Sequence, residues 1–230
     1  MFEVLSESMY FGFFLSLFAF FVGMFIKQKT GYRFMNPLLL SIVIIIAILQ
    51  YTGIDFETYD QGSQMISYFL TPVTICLAIP LYKQLQLLKD NVLAILVSIL
   101  FGTISSIGSV FLLSKLFGMD HTFYVSMLPK SITTAIGMKI SEELGGIVTI
   151  TVAVIIITGI LENVISDIVF KVFKISDPIA KGLALGTSAH AIGTTRAVEL
   201  GEAEGAMSGL SIAVAGIITV ILAPLAINLL

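Results

Sequence analysis

The stretch GLALGTSAHAIGTTRAVELG, residues 182–201, is the most informative part of this chain for its fold. It collects hydroxyl, imidazole and charged side chains between glycines, in a sequence that otherwise avoids polar atoms. Of the 230 residues, 57% are hydrophobic and 12% are charged, about half of the roughly 25% charge content of soluble domains. So few charges cannot cover a water-exposed surface, so lipid is the expected solvent. Polar groups are costly in lipid and tend to be functional there.

Several classes of function are disfavoured by the same composition. The net charge of -3 and the absence of a basic tract argue against nucleic acid as a partner. The single cysteine, Cys76, excludes an internal disulfide and a cysteine-rich metal site. The sequence contains no GxSxG, HExxH or Walker motif. Ser188 and His190 form the one conceivable nucleophile and base pair, but they lie on different faces of any helix. We expect no enzyme, no metal and no cofactor.

Apolar segments recur along the chain at lengths suited to a bilayer. A spanning helix needs about 20 mostly apolar residues. The predicted membrane segments are residues 8–26, 37–53, 65–82, 91–114, 122–144, 144–161, 178–200 and 206–230. Polar residues interrupt 122–144 and 178–200, and Pro72 and Pro80 interrupt 65–82. We therefore predict an all-α, polytopic integral membrane protein forming one domain over residues 1–230, with about eight membrane segments, of which two or three are broken or re-entrant.

The charges of the loops indicate whether segment 122–144 crosses the membrane or turns back within it. Lys27, Lys29 and Arg33 place the first loop in the cytoplasm by the positive-inside rule. The basic loop at 171–181 reaches that same side if 122–144 dips into the membrane and returns. A second interpretation lays residues 162–174 along the membrane surface, because their polar residues have roughly helical spacing.

The two interrupted segments resemble each other in sequence. AIGMKISEELG at 135–145 and AIGTTRAVELG at 191–201 are 56 residues apart and identical at six of eleven positions. A duplicated unit, around 122–165 and 178–230, is one interpretation, and chance similarity between apolar segments is the other. Internal repeats with interrupted helices are typical of secondary transporters, although the sequence leaves open whether these copies are inverted.

Both interrupted segments carry features of helix starts. Pro129 with Ser131 as N-cap predicts one start within residues 130–134, and the small polar residues at 186–188 predict another within residues 186–190. Helix N-termini attract anions through free N–H groups and the helix dipole. The sequence therefore predicts a site for a small carboxylate near the middle of the membrane. Its candidate residues are Lys130, Ser131, Thr133, Thr134, Gly186, Thr187, Ser188, His190, Thr194, Arg196 and, from the proline-interrupted segment, Thr74.

Each candidate side chain has a role in this hypothesis and a structural alternative. Hydroxyls would orient the anion, but in membrane helices they often bond to the preceding turn. Lys130 would supply a countercharge, or extend to the membrane interface. His190 would donate a hydrogen bond or carry a proton, or simply fill a helix contact. Arg196 would clamp a carboxylate, or pair with Glu199 or Glu202.

Three stretches resemble the LrgB/CidB family of bacterial membrane proteins: FLTPVTICLAIPLYKQ at 69–84, SMLPKSITTAIGMKIS at 126–141 and DPIAKGLALGTSAHAIGTTRAVELGEAEGAMSGL at 177–210. The similarity extends along essentially the whole chain. It implies one of two activities. Some members are described as holin-like or antiholin-like modulators of murein hydrolase activity and autolysis, paired with a small LrgA/CidA-type membrane protein. Other relatives move pyruvate in bacteria, or glycolate and glycerate in plastids. The family also resembles cation/proton-antiporter and bile-acid-symporter folds, which contain broken, crossing helices.

The sequence and the resemblance together favour a transporter of small monocarboxylates, because a duplicated pair of polar helix starts suits a small anion better than a large lesion. We expect it in the bacterial cytoplasmic membrane, with a separate LrgA/CidA-like partner and H+ or Na+ as candidate coupling ion; a homodimer is one alternative assembly. The competing hypotheses are a holin-like or antiholin-like modulator and a non-transporting regulatory subunit.

Overall fold

The computed structural model describes residue 8 and residues 10–31, 35–69, 72, 75, 76, 79 and 82–230. Every regular element within these ranges is helical, as the all-α prediction requires. Their α-helices, numbered α1 to α10, are Phe11–Thr30, Pro37–Thr52, Phe56–Ser67, Leu85–Asp90, Val92–Leu116, His121–Met127, Thr134–Leu144, Val148–Val172, Pro178–Leu200 and Glu202–Ala226. A 3-10 helix, Ile227–Leu229, follows α10. The chain divides into two compact units, Met1–Cys76 and Leu77–Leu230.

Four helices of the described ranges are long and apolar enough to cross a membrane: α1, α5, α8 and the stretch Glu202–Leu229 that contains α10. They expose large apolar side chains and bury several hydroxyl side chains. In α5, Phe101 and Leu112 are exposed, whereas Thr103 and Ser114 are buried. Lipid favours this arrangement, because apolar side chains can face it and polar ones cannot. The described helices thus fit a polytopic membrane protein.

The first unit is built from α1, α2 and α3. α2 begins at Pro37, where the Asn36 side chain accepts a hydrogen bond from a backbone N–H of the first turn and proline suits the first helical position. α1 meets α3 at Gly12, where an added Cβ would collide with the Tyr59 carbonyl oxygen. One turn along, Ser16 Oγ lies 2.7 Å from the Tyr59 hydroxyl oxygen. A small residue and one hydroxyl pair therefore bring these helices together.

The second unit has its closest helix pair in α9 and α10. A Cβ on Gly182 would lie 2.5 Å from the Glu204 carbonyl oxygen, and one on Gly186 would collide with the Ser208 backbone. Such contacts between small residues let the backbones of membrane helices approach. α5 packs against both helices through an apolar cluster formed by Ile95, Ile99, Leu183, Ala206, Met207 and Ala215.

The predicted interruption of segment 122–144 is present in the structure. α6 ends at Met127 and α7 begins at Thr134, and residues 128–133 between them are not helical. We call this stretch the α6–α7 connection. The N-cap of α7 is Thr133, with φ -63° and ψ 142°, rather than the predicted Ser131. Ser131 lies too early because it still belongs to the turn at 128–131, and the backbone becomes extended at Thr133 before α7 begins.

The interruption of segment 178–200 lies at the end of the predicted stretch, 186–190, rather than at its beginning. α9 begins at Pro178, where Asp177 caps the helix by accepting from the Ala180 N–H at 2.8 Å. Residues 186–188 lie inside helical backbone, so that part of the predicted stretch does not begin a helix. The break falls at His190, with φ 44° and ψ -132°. The small residues at 186–188 serve the contact with α10 instead of a cap.

α8 is a single helix of 25 residues, Val148–Val172. The interpretation in which residues 162–174 form a separate surface helix is therefore wrong, and the predicted span 144–161 was placed too early and ended too soon. Fourteen residues of α8 precede Glu162 and ten follow it. If α8 crosses the bilayer, this carboxylate lies near its middle.

The two similar stretches have the same order of elements. When 56 is added to the residue numbers of α7, the result is 190–200, which is the part of α9 from its break onward. Each of these helices ends at the glycine of its ELG motif, Gly145 or Gly201, and a long apolar helix follows. The duplication and its inversion remain predictions. The third predicted segment, 65–82, begins in α3, and part of it lies outside the described residues. The candidate site residue Thr74 also lies outside them.

Candidate functional site

The second unit contains an open cavity of about 510 Å³ between α5, α8, α9 and the α6–α7 connection. Most of its lining residues are small or hydroxylated, and two are charged. The lining consists of Ser98, Gly102, Ser105, Ser106, Ser109, Lys130, Ser131, Glu162, Ala180, Leu183, Ala184, Thr187 and Ser188. Since a water molecule occupies about 30 Å³ in the liquid, this space holds a three- or four-carbon acid with several waters.

One face of α5 supplies the hydroxyl wall of the cavity. Ser98, Gly102, Ser105 and Ser109 follow one another at steps of four, three and four residues, so they share one side of the helix. Gly102 lets α9 approach, because a Cβ there would lie 2.8 Å from Cγ2 of Thr187. The serine spacing in the sequence thus predicts a polar stripe on an otherwise apolar helix.

Lys130 and Glu162 place opposite charges in the cavity. Lys130 Nζ lies 3.9 Å from Glu162 Oε1, and the two side chains keep 21% and 24% of their surface accessible. Lys130 Nζ donates a hydrogen bond of 2.9 Å to Ser131 Oγ. Ser106 Oγ donates to the same oxygen at 2.9 Å. The ammonium group is therefore held by a serine of its own connection and is attracted to the carboxylate without a hydrogen bond.

Glu162 is the charged cavity-lining residue that the sequence interpretation missed. Its Oε2 atom is buried and has no hydrogen-bond partner within the described residues. An unsatisfied buried carboxylate oxygen is unusual and calls for an explanation. The available signal was an acidic residue that directly follows a long, mostly apolar run, residues 152–161, in a segment that is helical throughout.

A second, much smaller space adjoins the cavity. It measures about 10 Å³, which is room for roughly one water molecule. Three residues of the large cavity, Ser106, Ser131 and Thr187, also line it, and Thr103 and Thr219 add two further hydroxyls. The polar character of the site therefore continues past the cavity toward α10.

The structure brings four of the predicted site residues to the cavity: Lys130, Ser131, Thr187 and Ser188. Ser188 Oγ donates to the Ala184 carbonyl oxygen at 2.8 Å, the bond to the preceding turn that was the structural alternative. Thr133 and Thr134 are half-buried at the start of α7 and are not among the cavity-lining residues.

His190 is buried away from the cavity lining and supports the break of α9. Its Nε2 atom lies 3.1 Å from the Ile155 carbonyl oxygen of α8. Its backbone has a positive φ, which a non-glycine residue adopts only under strain. The ring therefore anchors a strained bend, and the structure favours the helix-contact interpretation of this histidine over a place in the cavity.

Thr194 and Gly186 belong to the contact between α9 and α10. The Thr194 hydroxyl donates to the His190 carbonyl oxygen at 3.0 Å and lies 2.7 Å from Ser208 Oγ. Gly186 lies against the backbone of Ser208. Both residues therefore hold two helices together outside the cavity lining.

Arg196 is already engaged by two carboxylates of this chain. Its Nη2 atom donates to both oxygens of Asp167, at 3.1 and 2.9 Å. Its Nη1 atom donates to Glu199 at 2.8 Å. The pairing with Glu199 was the structural alternative for Arg196, and Asp167 is an additional partner. We therefore leave Arg196 out of the anion site as a clamp.

The described residues contain no group of three or more histidine, cysteine, aspartate or glutamate side chains that could hold a metal ion.

Comparison with known proteins identifies what the chain resembles. Residues 16–229 match the LrgB-like family. The antiholin-like protein LrgB of Bacillus subtilis (strain 168) is 41% identical over 225 residues, which cover 97% of both chains. Proteins with the same description from Bacillus cereus (strain B4264) and Bacillus anthracis (strain CDC 684 / NRRL 3495) are 41% identical over 217 residues, 94% of each chain. No solved structure gives a significant match.

Proposed function

The chain belongs to the LrgB-like family, and on that premise we propose that it is a membrane carrier for small monocarboxylates of the 2-oxo and 2-hydroxy class, such as pyruvate, glycolate or glycerate. The observation that carries the proposal is the cavity between α5, α8 and α9, where Lys130 lies among hydroxyl groups. Charged side chains are rare within membrane segments, and those that occur there often mark transport pathways.

The lining matches the chemistry of such an acid. The Lys130 ammonium group attracts the carboxylate, and its three donors leave capacity beyond the bond to Ser131. Serine and threonine hydroxyls can both donate and accept, so those of α5 and α9 can bond to either a 2-oxo or a 2-hydroxyl oxygen. A substrate longer than a few carbons would favour large apolar side chains, and Leu183 is the only one among the described residues that line this cavity.

The broken helices supply a means of movement. Discontinuous helices beside a central site are a recurrent feature of secondary transporters, in which one bundle moves against another. Here the α6–α7 connection contributes Lys130 and Ser131 to the cavity, and α9 contributes Thr187 just before its break at His190. We place alternating access at these two interruptions.

The remaining assignments are part of the proposal. The bacterial origin of the relatives and the apolar helices support a multi-pass protein of the bacterial cytoplasmic membrane. A small LrgA/CidA-like membrane protein is the proposed partner, and a homodimer is the alternative assembly.

Uptake by proteoliposomes tests the carrier function. The purified chain, with and without an LrgA/CidA-type partner, is reconstituted and supplied with labelled pyruvate or glycolate. Lys130→Gln should reduce uptake about tenfold or more, since it removes the only cation lining the cavity within the described residues. Lys139→Gln is the matched control, because Lys139 is exposed and pairs with Glu142 outside the cavity. Equal uptake by both variants contradicts the assigned site.

The names of the relatives support a second candidate function. They are described as antiholin-like, which suggests a modulator of lysis that acts without carrying a substrate. Release of large encapsulated dyes by the reconstituted chain would favour a lesion-forming role. A substrate-induced rise in the unfolding temperature of this chain alone would argue against a purely regulatory subunit.

A further inference from the structure

The charges of the cavity indicate how transport is coupled. We propose that Glu162 is the proton carrier of the cavity: it releases Lys130 to the substrate carboxylate and takes up one proton for each anion bound. This inference rests on the proposed transport function and adds the coupling ion to it.

The geometry of the pair allows Lys130 to change partner. The 3.9 Å separation of Lys130 Nζ and Glu162 Oε1 exceeds the about 2.7–2.9 Å of a charge-assisted hydrogen bond. The hydrogen bond of Lys130 goes to Ser131 instead. A substrate carboxylate can therefore bind the ammonium group without first breaking a bond to Glu162.

The second oxygen of Glu162 points to a proton site. Oε2 is buried and lacks a hydrogen-bond partner within the described residues. A buried carboxylate oxygen without a donor disfavours the charged form of the group, because no hydrogen bond replaces the lost hydration at that atom. Binding of a proton to the carboxylate removes that charge. The accessible fraction of the side chain, 24%, leaves a path by which water can deliver the proton.

Charge balance fixes the number of protons. With Lys130 protonated and Glu162 ionised, the cavity carries no net charge. Entry of a monocarboxylate would leave one negative charge in a membrane-embedded site, which is strongly disfavoured. Transfer of one proton from the adjoining solution to the Glu162 carboxylate restores neutrality. On the opposite side the substrate leaves, the proton returns to water, and Lys130 faces an ionised Glu162 again.

Other titratable groups near Glu162 are few in the described part of the chain. The α6–α7 connection contributes Lys130, and α5 contributes only hydroxyls and a glycine to the cavity. From α9, His190 bonds through its ring to a backbone carbonyl of α8, and Arg196 pairs with Asp167 farther along α8. Glu162 is therefore the one carboxylate of the described residues that lines the cavity.

Two transport measurements on the same proteoliposomes separate coupling from binding. The full chain, with its partner, is tested for accumulation of labelled pyruvate under an imposed pH gradient, acidic outside. It is also tested for exchange of pyruvate at equal pH and equal concentration on both sides. We expect wild-type accumulation to require the pH gradient. Glu162→Gln should lower accumulation about tenfold or more and raise the ratio of exchange to accumulation by a similar factor.

Controls decide between the outcomes. Glu142→Gln removes an exposed carboxylate outside the cavity and should change neither activity. If Glu162→Gln cannot be purified folded, Glu162→Asp takes its place, and a shifted pH dependence of accumulation is the expected result.

Three results overturn the inference while leaving the carrier function intact: wild-type exchange together with accumulation that does not respond to the pH gradient, accumulation that follows a Na+ gradient instead, and unchanged accumulation or pH dependence in the Glu162 variant. Absence of both exchange and accumulation in the wild type overturns the proposed carrier function, and with it this inference.

Discussion

The imidazole of His190 lies directly against Gly159 of α8. A Cβ on Gly159 would be 2.9 Å from Cε1 and 3.0 Å from Nε2 of that ring. The ring reaches the Ile155 carbonyl oxygen, one turn earlier in α8, only because position 159 has no side chain. A glycine in one helix and a strained histidine in the next thus form one joint, which fixes the bend of α9 beside the cavity.

Gly159→Ala should therefore destabilise the second unit by about 1–3 kcal/mol, the usual cost of overpacking, despite the gain in helix propensity. Gly108→Ala is the matched control. Gly108 lies in α5, and an added Cβ there meets nothing within 4 Å, so this change should be neutral or stabilise by up to about 1 kcal/mol. Unfolding by sodium dodecyl sulfate, followed by circular dichroism, measures both. Equal effects at the two positions contradict the described joint.

Two substitutions of His190 separate the contribution of its ring to stability from that of its backbone conformation. His190→Ala loses the ring contact and keeps a side chain at φ 44°. His190→Gly also loses the ring but accepts this backbone angle without strain. We expect the glycine variant to be more stable than the alanine variant by about 1–3 kcal/mol, the reverse of their order in an ordinary helix. The same unfolding titration measures the difference, and a more stable alanine variant would show that the bend relaxes.

Removal of one member of the Lys130–Glu162 pair should cost more than removal of both. Lys130→Gln leaves the Glu162 carboxylate without its counter-ion, at a cost toward the lower end of roughly 3–5 kcal/mol, because both side chains keep about a fifth of their surface accessible. The double variant Lys130→Gln/Glu162→Gln should recover most of that loss. A double-mutant cycle of unfolding free energies tests this. Simple additivity of the two single changes would mean that the charges do not interact.

An aromatic side chain in the wall of the cavity should block transport without unfolding the chain. Ser109 of α5 lines the cavity, and Ser109→Phe should fill part of it and reduce pyruvate uptake about tenfold or more. Ile104→Phe is the control on the same helix, because Ile104 is 46% exposed on the apolar face. The ratio of the two uptake rates, at matched reconstitution, is the measured quantity. Similar uptake by both variants would remove this cavity from the transport path.

Much of the helical architecture can be predicted from the sequence, because hydrophobic runs long enough for a bilayer become helices almost regardless of detail. Segment 37–53 became α2, and 91–114 became α5, within a few residues. The interruption before α7 was also predictable, since Pro129 and the polar residues around it oppose a continuous helix. The end of α8 was not predictable, because the polar residues from Glu162 onward are equally typical of a segment on the membrane surface.

The site was harder to predict than the fold for a specific physical reason. Glycine, threonine and serine at 186–188 suit a helix start and a tight helix contact equally well, and only the position of α10 decides between them. In the same way, Arg196 could bind a substrate or a neighbouring carboxylate, and Asp167 lies 29 residues away in sequence. The sequence predicted Lys130, Ser131, Thr187 and Ser188 from clustering alone. It did not reveal that Glu162 and the serine stripe of α5 face the cavity, because this depends on which helix faces meet.

Because of the serine stripe, the rotation of α5 about its own axis matters as much as its length. One inserted residue near the start of the helix would rotate everything after it by about 100°, turning Ser98, Ser105 and Ser109 away from the cavity. The average hydropathy of the segment would hardly change, and the helix would still insert. Natural variation in this helix should therefore tolerate exchanges of one aliphatic residue for another but reject single-residue insertions and deletions.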